Sequence, residues 1–301
     1  MALFLVGAAL ALAFALSPLA AQKSQSAAKP APAQGARTII ISARNSDGSP
    51  AEVSASDLKI KLDGKQASVT AARRVAGIPL YYWLLVDTSS SERPFLQPER
   101  DEAASLLSKI VQSGRDYGTL VGFDQRAYID AEGSDPQALL KAMAGESARG
   151  SSSFFDAIFS CADRVVDLRE DLRIMFVFSD GADDSSSVRL DEATRVLLRE
   201  KIHVYAFGHS GASSQGFWPS SKGGDNLRQF AETTGGKAYF PRKEGDFGKA
   251  LADISGELQG LVLVTFTPGG MKFGGPLHKF EINCKKRGVL ITAPRQYFLP
   301  N

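Results

Sequence analysis

Five consecutive polar residues, Asp87-Thr88-Ser89-Ser90-Ser91, follow directly on the apolar run Tyr81-Tyr82-Trp83-Leu84-Leu85-Val86. A plain turn needs about one such residue for its local hydrogen bonds. A carboxylate with four hydroxyls in a row is instead a set of oxygen donors. Two more clusters of the same kind lie downstream: Ser151-Ser152-Ser153 ahead of Phe154, and Asp180 at the close of the apolar run 173–178. Together they offer two carboxylates, several hydroxyls and no histidine. Hard oxygen donors of that type suit a hard cation, Mg²⁺ first, with Mn²⁺ or Ca²⁺ as alternatives.

These clusters need elements that bring them together. Residues 81–87, 118–124, 173–180 and 202–208 are apolar runs without alternation, and 237–240 is a shorter fifth. Runs of this texture suit strands buried on both faces, as in a parallel sheet. Helical faces separate them: Ala103, Leu106, Leu107, Ile110 and Val111; Phe154, Ile158, Cys161 and Val165; Phe247, Leu251, Ile254 and Leu258. The pattern predicts an α/β fold, a Rossmann-like open and mostly parallel sheet with helices on both faces. Ligands of such sheets bind beyond the carboxyl ends of the strands, where Asp87 and Asp180 fall.

On either side the texture changes to period-two alternation. Ile39, Ile41 and Ala43 share one side of a strand, as do Leu58, Ile60 and Leu62, and Asp63-Gly64-Lys65 tightens a hairpin into a third. Three further strands are expected over 260–268, 278–285 and 288–298. Two or three strands alone are marginal in water. The expected organisation is therefore a small β-sandwich formed by strands from 37–78 and 260–301, with an α/β domain over 79–259 inserted between its halves.

Asp87, Ser89 and Ser91 match the D-x-S-x-S signature of the von Willebrand factor type A domain. Gly150 to Ala157 is similar to its G-G-T-x-L-x-D-A stretch, and 176–184 to its apolar strand ending in S-D-G. The late stretch 223–240 resembles a helix and strand of the same family. The flanks resemble those of secreted bacterial proteins built around such a domain. The resemblance covers residues 80–258 and implies a metal-ion-dependent adhesion site. Ser89 and Ser91 would touch the ion directly, and Ser152 directly or through water. Asp87 and Asp180 would act mainly through coordinated waters. A cation with so few direct carboxylates stays under-neutralised and seeks an Asp or Glu from a partner protein. Ser152 stands where the family has Thr, so the rotamer restriction of a β-branched side chain is missing; Ser151 and Ser153 compete for its role.

The remaining composition bounds the function. With 35 Lys and Arg against 33 Asp and Glu, the net charge of +2 calls for no nucleic acid. Two cysteines, Cys161 and Cys284, make no disulfide framework and read as buried small hydrophobes. The three histidines are scattered and show no zinc spacing. Residues 1–21 read as an export signal, its apolar part shorter than a membrane span, and 22–36 as a Pro/Ala-rich tether. A periplasmic or secreted location follows. The segment Gly208-His209-Ser210-Gly211-Ala212 loosely matches a nucleophile elbow with Ser210 as nucleophile, but the second glycine is missing and His278 is the one histidine downstream. A Gly-rich phosphate loop after the first α/β strand is absent too. The expectation is a non-enzymatic protein-binding module using a divalent metal, the alternative a metal-free scaffold in an envelope complex. The loop 211–224, with Phe217, Trp218 and Pro219, offers aromatic anchors to a partner or packing for the domain's own edge.

Overall fold

The structure is a computed structural model, and it describes residues 35–164, 172–209, 222–243, 245–270 and 277–299. The export signal, nearly all of the tether, Val165, Ser210 and the aromatic trio 217–219 lie outside the described residues. Strands β1 (Arg37–Asn45), β2 (Leu58–Leu62) and β3 (Lys65–Arg74) come first. The middle of the chain then runs β4 (Leu80–Asp87), α1 (Leu96–Ile110), β5 (Tyr117–Phe123), β6 (Ala127–Gly133), α2 (Pro136–Met143), α3 (Phe154–Asp163) and β7 (Leu172–Phe178). It continues through α4 (Leu190–Arg199), β8 (Ile202–Phe207), α5 (Lys222–Thr234), β9 (Ala238–Tyr239) and α6 (Asp246–Gln259). Strands β10 (Leu261–Thr267), β11 (His278–Cys284), β12 (Val289–Thr292) and β13 (Gln296–Tyr297) complete it.

The middle elements build a six-stranded sheet in the order β6-β5-β4-β7-β8-β9, parallel except for β6. Successive residues of β4 point to opposite faces. Tyr82, Leu84 and Val86 join Phe176, Phe178 and Phe207 under α1, α2 and α6. Trp83 and Leu85 join Val121, Phe123, Met175 and Val204 under α3, α4 and α5. Both faces are covered, which is why these strands read as unbroken apolar runs. The chain leaves β4 for β5 on one side and β7 for β8 on the other, so a crevice opens beyond the carboxyl ends of β4 and β7. Edge strand β6 and helices α2 and α4 add to the elements read from the sequence. β6 alternates polar residues with half-buried ones and carries no apolar run to mark it.

The flanking strands form one antiparallel sheet of seven strands, β12-β1-β10-β3-β2-β11-β13. N- and C-terminal strands interleave, with β10 paired to both β1 and β3. The sandwich expectation is not met: among the described residues all seven flanking strands belong to one sheet, and no second antiparallel sheet faces it. One sheet hides its own inner face by curling. Along a flat sheet β10 and β13 would stand four strand spacings, about 19 Å, apart. The Phe266 and Tyr297 ring centroids are nevertheless 5.3 Å apart, and the Tyr297 hydroxyl donates to the Thr38 carbonyl on β1 at 3.1 Å. Ile41, Ile60, Leu62, Val264 and Phe266 fill the interior. The hairpin at Asp63-Gly64 forms as expected, both residues taking positive φ. Pro294 falls in the gap between β12 and β13, which the sequence pattern ran together as one strand. Cys161 is buried, Cys284 half-buried, and both are free thiols.

Helix α6 joins the two sheets through a buried acid. Glu257 accepts from the Tyr205 hydroxyl of β8 at 2.8 Å and the Thr292 hydroxyl of β12 at 3.0 Å. It also pairs with Lys237 at 2.7 Å and with Arg44 of β1 at 3.3 Å, while Asp253 one turn earlier takes the same two cations. Removing a buried carboxylate from such a network strands its cations and donors. E257A is expected to lower the unfolding free energy by about 3 kcal/mol in a urea titration. E257Q, which keeps an acceptor for Tyr205 and Thr292, should cost less.

Candidate metal centre at the sheet edge

Three loops meet at the carboxyl edge of the parallel sheet, and backbone hydrogen bonds knit them. The Ser90 N–H donates to the Gly150 carbonyl at 3.0 Å, and the Arg149 N–H to the Thr88 carbonyl at 2.7 Å. These two bonds clamp the serine loop ahead of α3 onto the loop after β4. The N–H groups of Asp184 and Ser185 reach the Ser152 carbonyl, tying in the loop after β7. Asp183 accepts from the Phe155 N–H at 3.1 Å, and so satisfies an otherwise orphan donor at the start of α3. Asp156 accepts from the Val188 N–H at 2.8 Å, a structural role. Asp184 is exposed.

Within this frame Asp87, the last residue of β4, is fully buried. Its Oδ1 accepts from the Ser89 N–H at 2.9 Å, and its Oδ2 from the Ser179 hydroxyl at 2.7 Å and the Ser152 hydroxyl at 3.4 Å. The Ser89 and Ser91 hydroxyls lie 3.1 Å apart. Of the three serines before α3, Ser152 turns to Asp87, whereas the Ser151 and Ser153 hydroxyls are engaged by Ser185. Asp180 follows β7, and its Oδ1 accepts from the Ala182 N–H at 2.8 Å. One carboxylate oxygen each from Asp87, Asp180 and Glu92 lies within 4.8 Å of the others. The five residues singled out in the sequence thus come to one place, and Glu92 joins them.

Glycine lets the Asp180 loop sit there. Gly181 takes φ +72°, and a Cβ on it would strike the Gly223 backbone at the start of α5; a Cβ on Gly223 would strike Asp180 in return. Asn226 of α5 then donates to the Gly181 carbonyl at 2.9 Å. The helix presses backbone to backbone on the loop, an approach open only to residues without side chains.

Three buried carboxylates in one small volume are electrostatically costly. Among the described residues no Lys or Arg side chain pairs with Asp87, Glu92 or Asp180. Burial, and after it the charge of Glu92, push the Asp87 carboxyl up to about 7 against the hydrogen bonds from Ser179 and Ser89. The cluster therefore fits a cation: acidic oxygens draw it in and serine hydroxyls offer neutral ligands, the donor chemistry of Mg²⁺ or Mn²⁺.

Glu92 extends the site beyond anything the sequence reading named. Its Oε1 accepts from the Asp180 N–H at 2.9 Å, and its Oε2 stands 3.2 Å from His209 Nε2. His209 follows β8, stacks on Phe95 with centroids 4.3 Å apart, and meets Glu99 Oε1 at 2.7 Å. The reading of a histidine-free edge is thereby corrected. Burial opposes the charged imidazole, yet the two carboxylates outweigh it and raise the His209 pKa; burial raises that of Glu99, against the pull of His209. One signal was available. Glu99 occupies the inward stripe of α1 with Leu96, Ala103 and Leu106, where an unpaired acid has no place.

No protein-family model matches the chain, and no curated protein matches it in sequence. Solved structures do match in fold. Proximal thread matrix protein 1 from the mussel byssus, in a form with a zinc-occupied MIDAS motif, superposes with a TM-score of 0.50 at 13% identity, over 65% of this chain and 49% of its own. A von Willebrand factor type A protein from Catenulispora acidiphila covers 87% of this chain and 74% of its own at 11% identity and TM-score 0.47. The conserved hypothetical protein BatB from Bacteroides thetaiotaomicron covers 58% and 97% at 14% identity, also with TM-score 0.47. At these identities the likeness speaks of fold alone: the α/β part of this chain is similar in fold to these proteins, a von Willebrand factor type A protein among them.

Proposed function

We propose that the chain is a protein-binding module that holds a divalent cation at the Asp87–Ser89–Ser91–Ser152–Asp180 edge and presents it to an Asp or Glu of a partner. One observation carries this reading: the buried oxygens of Asp87, Glu92 and Asp180 gather within 4.8 Å, beside the Ser89–Ser91 hydroxyl pair and the Ser152 hydroxyl that donates to Asp87. The mussel byssus protein supports it, since that protein, similar in fold, has a zinc-occupied MIDAS motif. Asp87 is tied up by Ser89, Ser152 and Ser179, which suits an acid acting through coordinated water. With serine hydroxyls as direct ligands and the acids behind them, the ion keeps an open coordination position that an outside carboxylate fills. The cation supplies electrostatic attraction; the chain's own residues orient it, and the knitted loops keep it at the surface.

A non-enzymatic role accompanies this proposal. His278, the base that an elbow nucleophile at Ser210 would need, sits on β11 with its Nδ1 2.8 Å from Asp63, in the antiparallel sheet. Export to the periplasm or medium is part of the same reading, and no helix among the described residues is long and apolar enough to cross a membrane.

Titration calorimetry of the chelator-treated protein should show one Mg²⁺ or Mn²⁺ bound at millimolar concentration or below, and D87A should abolish it with an unchanged circular dichroism spectrum. A wild type that takes up no divalent ion would end the adhesive reading in favour of a metal-free scaffold. S152A should weaken the same ion by about tenfold, the worth of one polar contact near 1.4 kcal/mol. Replacing Ser151, whose hydroxyl faces Ser185, should leave affinity unchanged.

A further inference from the structure

We propose that Glu92, Glu99 and His209 form a second metal site, selective for Zn²⁺-type ions, adjoining the Asp87 edge and sharing Glu92 with it. The donor set differs in kind. One imidazole and two carboxylates favour borderline ions such as Zn²⁺ or Co²⁺, whereas serine hydroxyls and water favour Mg²⁺. One ligand atom from each of the three residues lies within 4.8 Å of the other two. His209 Nε2 is 2.7 Å from Glu99 Oε1 and 3.2 Å from Glu92 Oε2. Zinc bonds of about 2.0–2.2 Å in tetrahedral geometry separate ligand atoms by about 3.4 Å. To admit the ion, the triad needs to open by about 0.7 Å between His209 and Glu99 and by about 0.2 Å between His209 and Glu92.

Two further observations point inward to a ligand. Glu92 Oε2 and Glu99 Oε2 are buried and have no hydrogen-bond partner, although both side chains are fully enclosed. A single Nε2 proton, donated to Glu99, leaves both oxygens without a donor. The ligands are also oriented in advance. Stacking on Phe95 sets the imidazole plane, and the Asp180 N–H holds Glu92 by its other oxygen. No Lys or Arg among the described residues pairs with either acid, so with both acids ionised even a protonated imidazole leaves the triad one positive charge short of neutrality. A divalent ion in place of the Nε2 proton corrects that deficit and takes all three donors, with a fourth position left for water. Because Glu92 also holds the Asp180 backbone, an ion here stiffens the loop that lines the neighbouring edge.

The test uses the full chain stripped of metal by chelator and titrated with Co²⁺. Expected are the visible bands of a four-coordinate Co²⁺ ion, displaced by Zn²⁺ and not by Mg²⁺, and a shift of the His209 Nε2 resonance on adding Zn²⁺. E99Q and H209Q should each weaken Zn²⁺ by at least about 100-fold, beyond the range for loss of an outer-shell partner. D87A removes a charge within 4.8 Å of Glu92 but none of the three ligands, so Zn²⁺ binding should weaken less than in E99Q or H209Q and the cobalt bands should persist. An unmoved His209 resonance at saturating Zn²⁺ would show the triad held by a proton alone and overturn the site, whatever the variants' folding. Cobalt bands that survive in E99Q and H209Q, or vanish in D87A, would place the ion elsewhere and overturn it equally. Absence of Mg²⁺ binding with the cobalt bands intact would remove the adhesive reading and leave this one standing.

Discussion

Carboxylates withdrawn from water at the end of a parallel sheet are the constraint to which the rest of the molecule answers. Asp87, Glu92 and Asp180 repel one another in a medium that screens them poorly, and a chain without special provision would let one of them swing out to solvent. The provisions are local and numerous. Backbone bonds at Ser90, Arg149, Asp184 and Ser185 lock the loops in register. Gly181 and Gly223 let a helix end press on the Asp180 loop, and Ser179 bonds both Asp87 and the Gly181 N–H. A fold held this firmly around mutual repulsion is preorganised for a cation rather than reshaped by one, so binding need not include the cost of gathering the acids.

Asp87, Asp180 and the α/β sheet were legible in the sequence for one shared reason. Strands buried on both faces write themselves as continuous apolar runs, and polar clusters directly after such runs must sit at the sheet's carboxyl edge. Asp87 and Asp180 follow from that logic, whereas Ser89, Ser91 and Ser152 were singled out through the resemblance to the von Willebrand factor type A signature. Between the rival serines the structure decides through hydrogen bonds to Ser185, a contact between loops 30 residues apart that no spacing rule supplies. Glu92, Glu99 and His209 escaped because their chemistry depends on a meeting of α1 with the end of β8, more than 100 residues away. The antiparallel sheet was misjudged in form for a related reason. Alternation tells which face of a strand is buried but not what buries it, and here the covering is the far edge of the same sheet.

Glu257 shows how little of an inter-sheet contact is visible locally. It lies on an apolar stripe of α6 between Ile254 and Leu258, where its burial serves Tyr205, Thr292, Lys237 and Arg44 at once. The same residue makes α6 a part of both sheets, and a displacement of that helix at one would be felt at the other.

The interleaved strand order also bears on mechanics. The chain leaves the antiparallel sheet through β3 into β4 and returns from α6 into β10, and the two crossing points are themselves paired, Arg74 against Val262. Both lie at the end of the parallel sheet remote from the metal edge. Tension between a tethered terminus and a ligand held at that edge would run lengthwise along β4, loading its hydrogen bonds to β5 and β7 in shear, all at once rather than one after another. The geometry resists a pull from the very direction in which an adhesive contact would apply it.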